Sequence, residues 1–135
     1  QYPDLHHATV DGKPAKDLYP DEATYDAFIK KVAQRGKEII DVMGKSSAAS
    51  AAAAICEHMH DWWFGNQLGG YVSMAVIQDG GKYGVDGDLC FSYPCNVKNG
   101  EWEIVEGLEV NDFSVAKIKA TEKELQEERQ MALNR

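Results

Sequence analysis

An alanine-rich run from Ala48 to Cys56 restricts the fold of this chain more than any other stretch. Alanine has the highest helix propensity and little side-chain volume, so the run predicts a helix that packs very close to its neighbours. Serines precede the run and offer hydroxyls to the free amides of a helix start, while Gly65 follows as a stop. We therefore predict a helix from Ser46 or Ser47 to Phe64.

An earlier helix is predicted from Asp21 to Met43, where apolar residues recur at helical spacing. Pro20 precedes its start, Asp21 or Thr24 can cap it, and Gly44 is a typical end. Gly36 lies inside the apolar stripe, where glycine costs roughly 1 kcal/mol relative to alanine. It indicates close approach of another backbone, or a bend. The stripe comprises Phe28, Val32, Ile39 and Met43, widened by Ile29, Ile40 and Val42.

The pattern becomes strand-like after Gly69-Gly70. Asn99-Gly100 is a strong hairpin signal, and Pro94 marks a bulge or an edge strand. We predict an antiparallel meander with strands at Tyr71–Gln78, Leu89–Val97 and Trp102–Val105. A smaller hairpin is predicted near the start of the chain, with His7–Val10 and Lys13–Leu18 on either side of an Asp11-Gly12 turn.

The last part of the chain is predicted to be helical. Asn111 or Asp112 can cap a segment that begins at Phe113, and Thr121 with Glu124 fits a capping box for a last helix that ends near Leu133. The charge run 122–129 is interpreted as a solvated face. The resulting fold class is α+β, with two long helices, an antiparallel sheet and a C-terminal helix. The chain contains no glycine-rich phosphate loop after a strand, which a dinucleotide site requires.

The charge and cysteine content narrow the classes of partner. A formal net charge of −8 disfavours nucleic acid and anionic membranes as partners. No apolar run reaches the roughly 20 residues that span a bilayer. Three cysteines without a disulfide-like framework favour a reducing compartment. The chain begins with Gln1 rather than Met, which we interpret as the mark of a processed product, a trimmed piece or a proteolytic fragment.

Four groups of residues are candidates for catalysis or ligand binding, and each also has a purely structural interpretation. His6-His7 could supply a general base or lie in a turn. The Cys56–Asp61 stretch could bind a metal, although a buried thiol beside a partly exposed histidine fits better. Lys45-Ser46-Ser47 at a helix mouth could bind a carboxylate or simply cap the helix. Arg35 could hold a substrate carboxylate or form a structural ion pair.

Several stretches together resemble the malate dehydrogenases of the cytosolic type, within the lactate/malate dehydrogenase family. The resemblance covers essentially all 135 residues, and its specificity comes from the ordered set of motifs. These motifs are Gln1-Tyr2-Pro3-Asp4, Gln34-Arg35-Gly36, Lys45-Ser46-Ser47-Ala48-Ala49-Ser50-Ala51, Trp63-Phe64-Gly65, Tyr71-Val72-Ser73-Met74, Tyr83-Gly84-Val85, Phe91-Ser92-Tyr93-Pro94, Val105-Glu106-Gly107-Leu108, Asn111-Asp112-Phe113-Ser114, Glu124-Leu125 and Glu128.

The resemblance implies a substrate-binding C-terminal domain over residues 1–135, incomplete at its N-terminus, of an NAD-dependent enzyme that interconverts malate and oxaloacetate. The Rossmann domain is absent, and so is the family's catalytic histidine, which precedes the segment matching Gln1. None of the residues here is therefore assigned a catalytic role. Ser47 matches a substrate-pocket position and Ala51 a position near the nicotinamide ring. Gln34, Arg35 and Gly36 match a region used in dimer interfaces.

The resemblance also sets further expectations. The chain alone should be inactive and bind no cofactor, because NAD is held mainly by the missing Rossmann half. The full-length protein should be a cytoplasmic homodimer without a metal. A lactate dehydrogenase or an NADP-dependent malate dehydrogenase of the same family stays open, since substrate and cofactor choice lie mainly upstream. A stand-alone interaction domain without enzymatic activity is the remaining alternative.

Overall fold

The computed structural model describes residues 2–19, 21–66 and 70–134, and it divides into two compact units between Ala48 and Ala49. Gln1, Pro20 and Gly69, which enter the sequence predictions, lie outside the described residues. The first unit contains β1 (Thr9–Val10), β2 (Lys13–Pro14) and α1 (Glu22–Met43). The second contains α2 (Ala49–Phe64), β3 (Val72–Ile77), β4 (Cys90–Lys98), β5 (Glu101–Ile104) and α3 (Asp112–Leu133).

The predicted N-terminal hairpin forms, but its strands are shorter than predicted. Thr9 pairs with Pro14 around a turn in which Asp11 and Gly12 both have positive φ. Such a turn matches the twist of the strands that flank it. The return segment does not remain extended to Leu18, because residues 15–18 form a 3₁₀ turn whose Ala15 is buried. The prediction of a strand over Lys13–Leu18 was therefore wrong beyond Pro14.

Helix α1 begins and ends at the predicted signals. The Asp21 carboxylate accepts a hydrogen bond from the Thr24 amide at 2.7 Å, so Asp21 is the cap. Gly44 ends the helix with a φ of 70°, in the left-handed region that favours glycine. The predicted apolar stripe is only partly buried: Ile29 is buried, whereas Val32 and Ile40 are exposed. Tyr25, which was not part of the predicted stripe, is also buried. The second half of α1 therefore leaves much of its apolar side exposed.

Helix α2 starts later than predicted. Its first residue is Ala49, and Ala48 has a φ of 41°, which is incompatible with a right-handed helix. The serines therefore precede the helix, and the prediction of a start at Ser46 or Ser47 was wrong. None of the residues of α2 is buried. Of the helices in the described residues, none is long and apolar enough to cross a membrane.

The predicted meander is confirmed, in the order β3-β4-β5 with both pairs antiparallel. Pro94 lies in the middle strand opposite Ser73, and the register runs through it without a bulge. Its carbonyl accepts a bond from the Val105 amide on the β5 side. In a strand, the N and C=O of one residue point to the same side. Pro94 therefore lacks an N–H donor only on its β5 side, just beyond the last residue of β5. The proline thus removes no bond between β3 and β4.

The core of the second unit lies against one face of this sheet. Val85, Tyr93 and Cys95 are its most deeply buried side chains. Two residues of helix α3, Ile118 and Leu125, also pack against this core. The other core residues are Met74, Val76, Leu89, Val97 and Ile104.

A single helix replaces the two predicted C-terminal segments. Helix α3 runs without a break from Asp112, and Asn111 caps it by accepting the Ser114 amide at 2.9 Å. The proposed capping box is wrong, because the Thr121 hydroxyl donates to the Lys117 carbonyl one turn earlier. A threonine that bonds to the preceding turn is compatible with a helix interior.

Candidate functional site

The segment between α1 and α2 contains Ser47, the predicted substrate-pocket residue. Gly44 and Ala48 both have positive φ, so the chain turns twice before α2 begins. The Ser46 hydroxyl accepts a hydrogen bond from the Ala48 amide at 3.5 Å, which supports the second of these turns. Ser47 is half-buried and lies two residues before the first residue of α2.

Ala51, the predicted nicotinamide-proximal residue, lies in the first turn of α2 and is exposed. Residues four apart on a helix share one side, and Ala51, Ile55, Met59 and Trp63 follow this spacing. We call these four residues the α2 stripe. Ile55, Met59 and Trp63 are 63%, 51% and 72% exposed. A stripe of this size is unusual for a helix that faces only water, because burying it would gain roughly 25 cal/mol per Å².

The Gln34-Arg35-Gly36 group lies on an exposed part of α1. The Arg35 guanidinium donates to the Glu38 carboxylate at 3.1 Å, one helical turn later, as expected for a structural ion pair. Apart from its chain neighbours and the nearby backbone of its own helix, a Cβ placed on Gly36 would meet no described atom of residues 2–48 within 4 Å, and α1 continues through it. Within the first unit, therefore, neither a close backbone contact nor a helix break explains this glycine.

The first histidines have partners that the sequence did not reveal. The Asp4 carboxylate contacts His7 Nδ1 at 2.5 Å and accepts the His6 amide at 2.8 Å. The buried Tyr25 hydroxyl accepts the Leu5 amide at 2.7 Å. These bonds hold the segment 2–7 as a turn against α1. An aspartate–histidine pair has the composition of a general base, but here it forms part of the turn.

The Cys56–Asp61 stretch departs from its predicted structure. Cys56 is exposed rather than buried, because α2 buries none of its residues. His60 and Asp61 approach each other to 3.9 Å. The described residues contain no group of three or more His, Cys, Asp or Glu side chains that could hold a metal ion. The other two cysteines are also free thiols, Cys90 exposed and Cys95 buried.

The charge run 122–129 contains one residue that is not solvated. Glu122 is 5% exposed and accepts the Asp86 amide at 2.9 Å, whereas the other charged residues of the run are exposed. The interpretation of the run as a solvated face was therefore wrong at Glu122. Helical spacing placed Ile118, Glu122 and Leu125 on one side of α3, and this was the only available signal.

Comparison with known proteins places these features in a family. A family model described as the lactate/malate dehydrogenase alpha/beta C-terminal domain matches residues 1–135. The chain is 47% identical to the cytoplasmic malate dehydrogenase of Homo sapiens and 46% identical to that of Bos taurus. Each of these matches covers 98% of this chain and 41% of the relative. The chain therefore spans well under half the length of these relatives.

Solved structures give the same result. A malate dehydrogenase from Naegleria fowleri matches with a TM-score of 0.84 and 43% identity, over 98% of this chain and 41% of that one. A lactate dehydrogenase from Trichomonas vaginalis, in complex with NADH and oxamate, matches with a TM-score of 0.85 and 37% identity. That match covers 97% of this chain and 41% of the other. The α+β fold predicted from the sequence is thus that of the family's C-terminal domain.

Proposed function

Because the chain belongs to the lactate/malate dehydrogenase family, we propose that it is the substrate-binding C-terminal domain of an NAD-dependent malate dehydrogenase. The observation that carries this proposal is the 47% identity to a cytoplasmic malate dehydrogenase over 98% of the chain. The reaction would interconvert malate and oxaloacetate, with NAD as the hydride acceptor. By the same likeness, we propose the cytoplasm as the site of action.

We propose that the residues present form a part of an NAD site and not the whole. The strands of the described residues pair only in antiparallel fashion, and no glycine-rich strand–turn–helix unit occurs in the sequence. A dinucleotide needs that unit for its phosphates. Ala51, a small exposed residue in the first turn of α2, would leave room for the flat nicotinamide ring. The rest of the cofactor would bind to a Rossmann half outside these 135 residues.

We accordingly propose that the 135-residue chain has no dehydrogenase activity by itself. The family resemblance implies an acid/base histidine that would precede Gln1, and His6 and His7 are engaged in the turn around Asp4. The purified chain should give no malate-dependent NADH absorbance, whereas the natural full-length protein should give it. Turnover by the chain alone would contradict this assignment.

Ser47 is proposed to contact the substrate, and Ala51 to contact the nicotinamide. In the full-length protein, Ser47→Ala should raise the KM for oxaloacetate, since it removes one hydroxyl from the pocket. Ala51→Leu should raise the KM for NADH, since its larger side chain would occupy the space of the ring. Ser46→Ala and Ala52→Leu are matched controls on neighbouring positions. Equal effects of each variant and its control would argue against both roles.

Two surfaces are proposed to be covered in the full-length protein. The α2 stripe would pack against the Rossmann half, because exposed apolar side chains are stabilised when another protein surface covers them. The exposed group Gln34, Arg35 and Gly36 would lie in a homodimer interface. Limited proteolysis and hydrogen exchange, compared between the chain and the full-length protein, should show protection of both surfaces only in the latter.

A lactate dehydrogenase is the second candidate, and one observation favours it. The Trichomonas vaginalis lactate dehydrogenase is as similar in structure as the malate dehydrogenase from Naegleria fowleri. Rates of the full-length protein with oxaloacetate and with pyruvate separate the two activities. Rates with NADH and NADPH decide between the two nicotinamide cofactors. Inactivity of the full-length protein in all four combinations would favour a stand-alone interaction domain.

A further inference from the structure

Helix α3 has a stripe of polar side chains that contact the loop between β3 and β4. The stripe consists of Lys119, Glu122, Gln126 and Arg129, whose spacing of three, four and three residues keeps them on one side of the helix. Each contacts a residue of the loop. The partners are every second residue of the loop, namely Gly84, Asp86 and Asp88.

The individual contacts are polar and mostly short. Lys119 Nζ donates to the Gly84 carbonyl, and Gln126 donates to the Asp86 carboxylate at 2.7 Å. Arg129 and the Asp88 carboxylate lie 3.6 Å apart. Apart from Glu122, the side chains of the stripe are exposed. Exposed ion pairs and hydrogen bonds contribute little individually.

Glu122 differs from its neighbours because its carboxylate is buried. One oxygen accepts the Asp86 amide at 2.9 Å and the other accepts Lys119 Nζ at 2.6 Å. The side chain is 7% exposed, compared with 54% for that of Lys119. A buried carboxylate is tolerated only when its oxygens are bonded, and charge-assisted bonds of this kind are about twice as strong as neutral ones.

We propose that the charge on Glu122 controls a local opening of α3: the helix stays on the 84–88 loop while the carboxylate is ionised, and opens from it more often once the carboxylate is neutral. The opening would precede unfolding of the sheet. The ladders β3–β4 and β4–β5 contain no residue of the stripe. Local openings of this kind are common where a segment depends on few buried contacts.

The groups that surround Glu122 determine the direction of the pH effect. The bond from Lys119 holds the pKa of the Glu122 carboxyl below its ordinary value of 4.5, against the opposing effect of burial. A carboxyl with a lowered pKa in the folded state stabilises that state above its ordinary pKa, and this stabilisation is lost as the pH falls through the folded value. Opening is therefore expected only in acid, below pH 4.5.

Other titratable and charged groups face the same region. From β4, the buried Tyr93 phenol has its pKa raised by burial, with Gln78 opposing and the Glu122 charge adding to the rise. From the loop, Asp86 bonds Gln126, and Asp88 lies near Arg129. Lys82, two residues before the loop, pairs with Glu106. The contacts of Asp86 and Asp88 are exposed, so the buried Glu122 carboxylate should dominate the opening.

The test is hydrogen exchange of the natural full-length protein, read by mass spectrometry as protection factors. At neutral pH, Glu122→Gln should lower the protection of peptides covering 84–88 and 118–129 roughly tenfold, the size of one charge-assisted bond. Peptides of β4 should keep their protection. Wild-type protein should reach the same pattern in acid. The matched control is Glu127→Gln, which neutralises an exposed carboxylate on the same helix, near Lys123.

Three results would overturn the proposal. Glu122→Gln could match wild type at neutral pH, the control could lose as much protection, or β4 could lose protection together with α3. Lys119→Met provides a second variant, because it removes the cation but leaves the bond from Asp86. It should raise the pH at which α3 opens, and an unchanged opening pH would also contradict the proposal. The proposal concerns the fold alone and stands or falls independently of dehydrogenase activity.

Discussion

Replacement of Gly36 by alanine tests the interpretation of α1 most directly. Glycine in a helix interior is less favourable than alanine by roughly 0.8–1 kcal/mol, because it loses more backbone freedom on folding. Apart from its chain neighbours and the nearby backbone of its own helix, the new methyl group would meet no described atom of residues 2–48 within 4 Å. Nothing in the first unit therefore opposes the gain. We expect Gly36→Ala to raise the free energy of unfolding of the chain by roughly 0.5–1 kcal/mol.

Urea denaturation followed by circular dichroism measures this change, with Gly87→Ala as the matched control. A Cβ on Gly87 would lie 3.0 Å from the Gln78 carbonyl oxygen and 3.1 Å from the Gly80 nitrogen. Both neighbours are backbone atoms, so Gly87→Ala should destabilise the chain by roughly 1–3 kcal/mol. A loss of stability in Gly36→Ala would refute the reasoning, since it would require a contact that the first unit does not contain.

The same variant separates stability of the chain from assembly. If Gly36 lies in a dimer interface, a methyl group there would hold the two backbones apart. Sedimentation equilibrium of the full-length protein should then show at least a roughly tenfold weaker dimer, equivalent to about 1.4 kcal/mol. A more stable chain with an unchanged dimer would remove Gly36 from the proposed interface and leave its presence without a structural reason.

One further substitution and one labelling reagent test the Tyr25 hydrogen bond and the burial of Cys95. Tyr25→Phe removes the hydroxyl that accepts the Leu5 amide, so the free energy of unfolding should fall by roughly 1–3 kcal/mol in urea denaturation. A smaller loss would show that segment 2–7 is held by other contacts. Iodoacetamide at mildly alkaline pH should alkylate the exposed Cys56 and Cys90 well before Cys95, because burial both covers the Cys95 thiol and raises its pKa. Equal labelling of the three thiols, read by mass spectrometry, would contradict this burial.

Local signals accounted for most of the element boundaries. Asp21, Gly44 and Asn111 act through hydrogen bonds or backbone angles within a few residues, so the sequence alone located these helix ends. The hairpin signals at Asp11-Gly12 and Asn99-Gly100 work in the same way, since residues at each turn have positive φ. The late start of α2 was missed because Ala48, a strong helix former, has a positive φ there.

The residues of the candidate site were predicted only from the resemblance to a family. Ser47 and Ala51 were selected by their match to a family, and periodicity alone would have given them the roles of a cap and a packing residue. The Tyr25 hydroxyl and the Leu5 amide that it binds lie on a helix and in a turn that are 20 residues apart. No local pattern encodes such pairs, because they depend on how the chain folds back on itself.

By itself, the sequence determined the kind and order of the elements, because capping, turn geometry and hydrophobic spacing act over a few residues. It also determined the family, through an ordered set of motifs along the whole chain. Only the tertiary structure decided which side chains are buried. The alanine-rich run became a helix with every residue at least partly exposed, and Glu122 in a charged run became a buried carboxylate bonded to a loop 36 residues away. Burial depends on what packs against a surface, and that partner is distant in sequence.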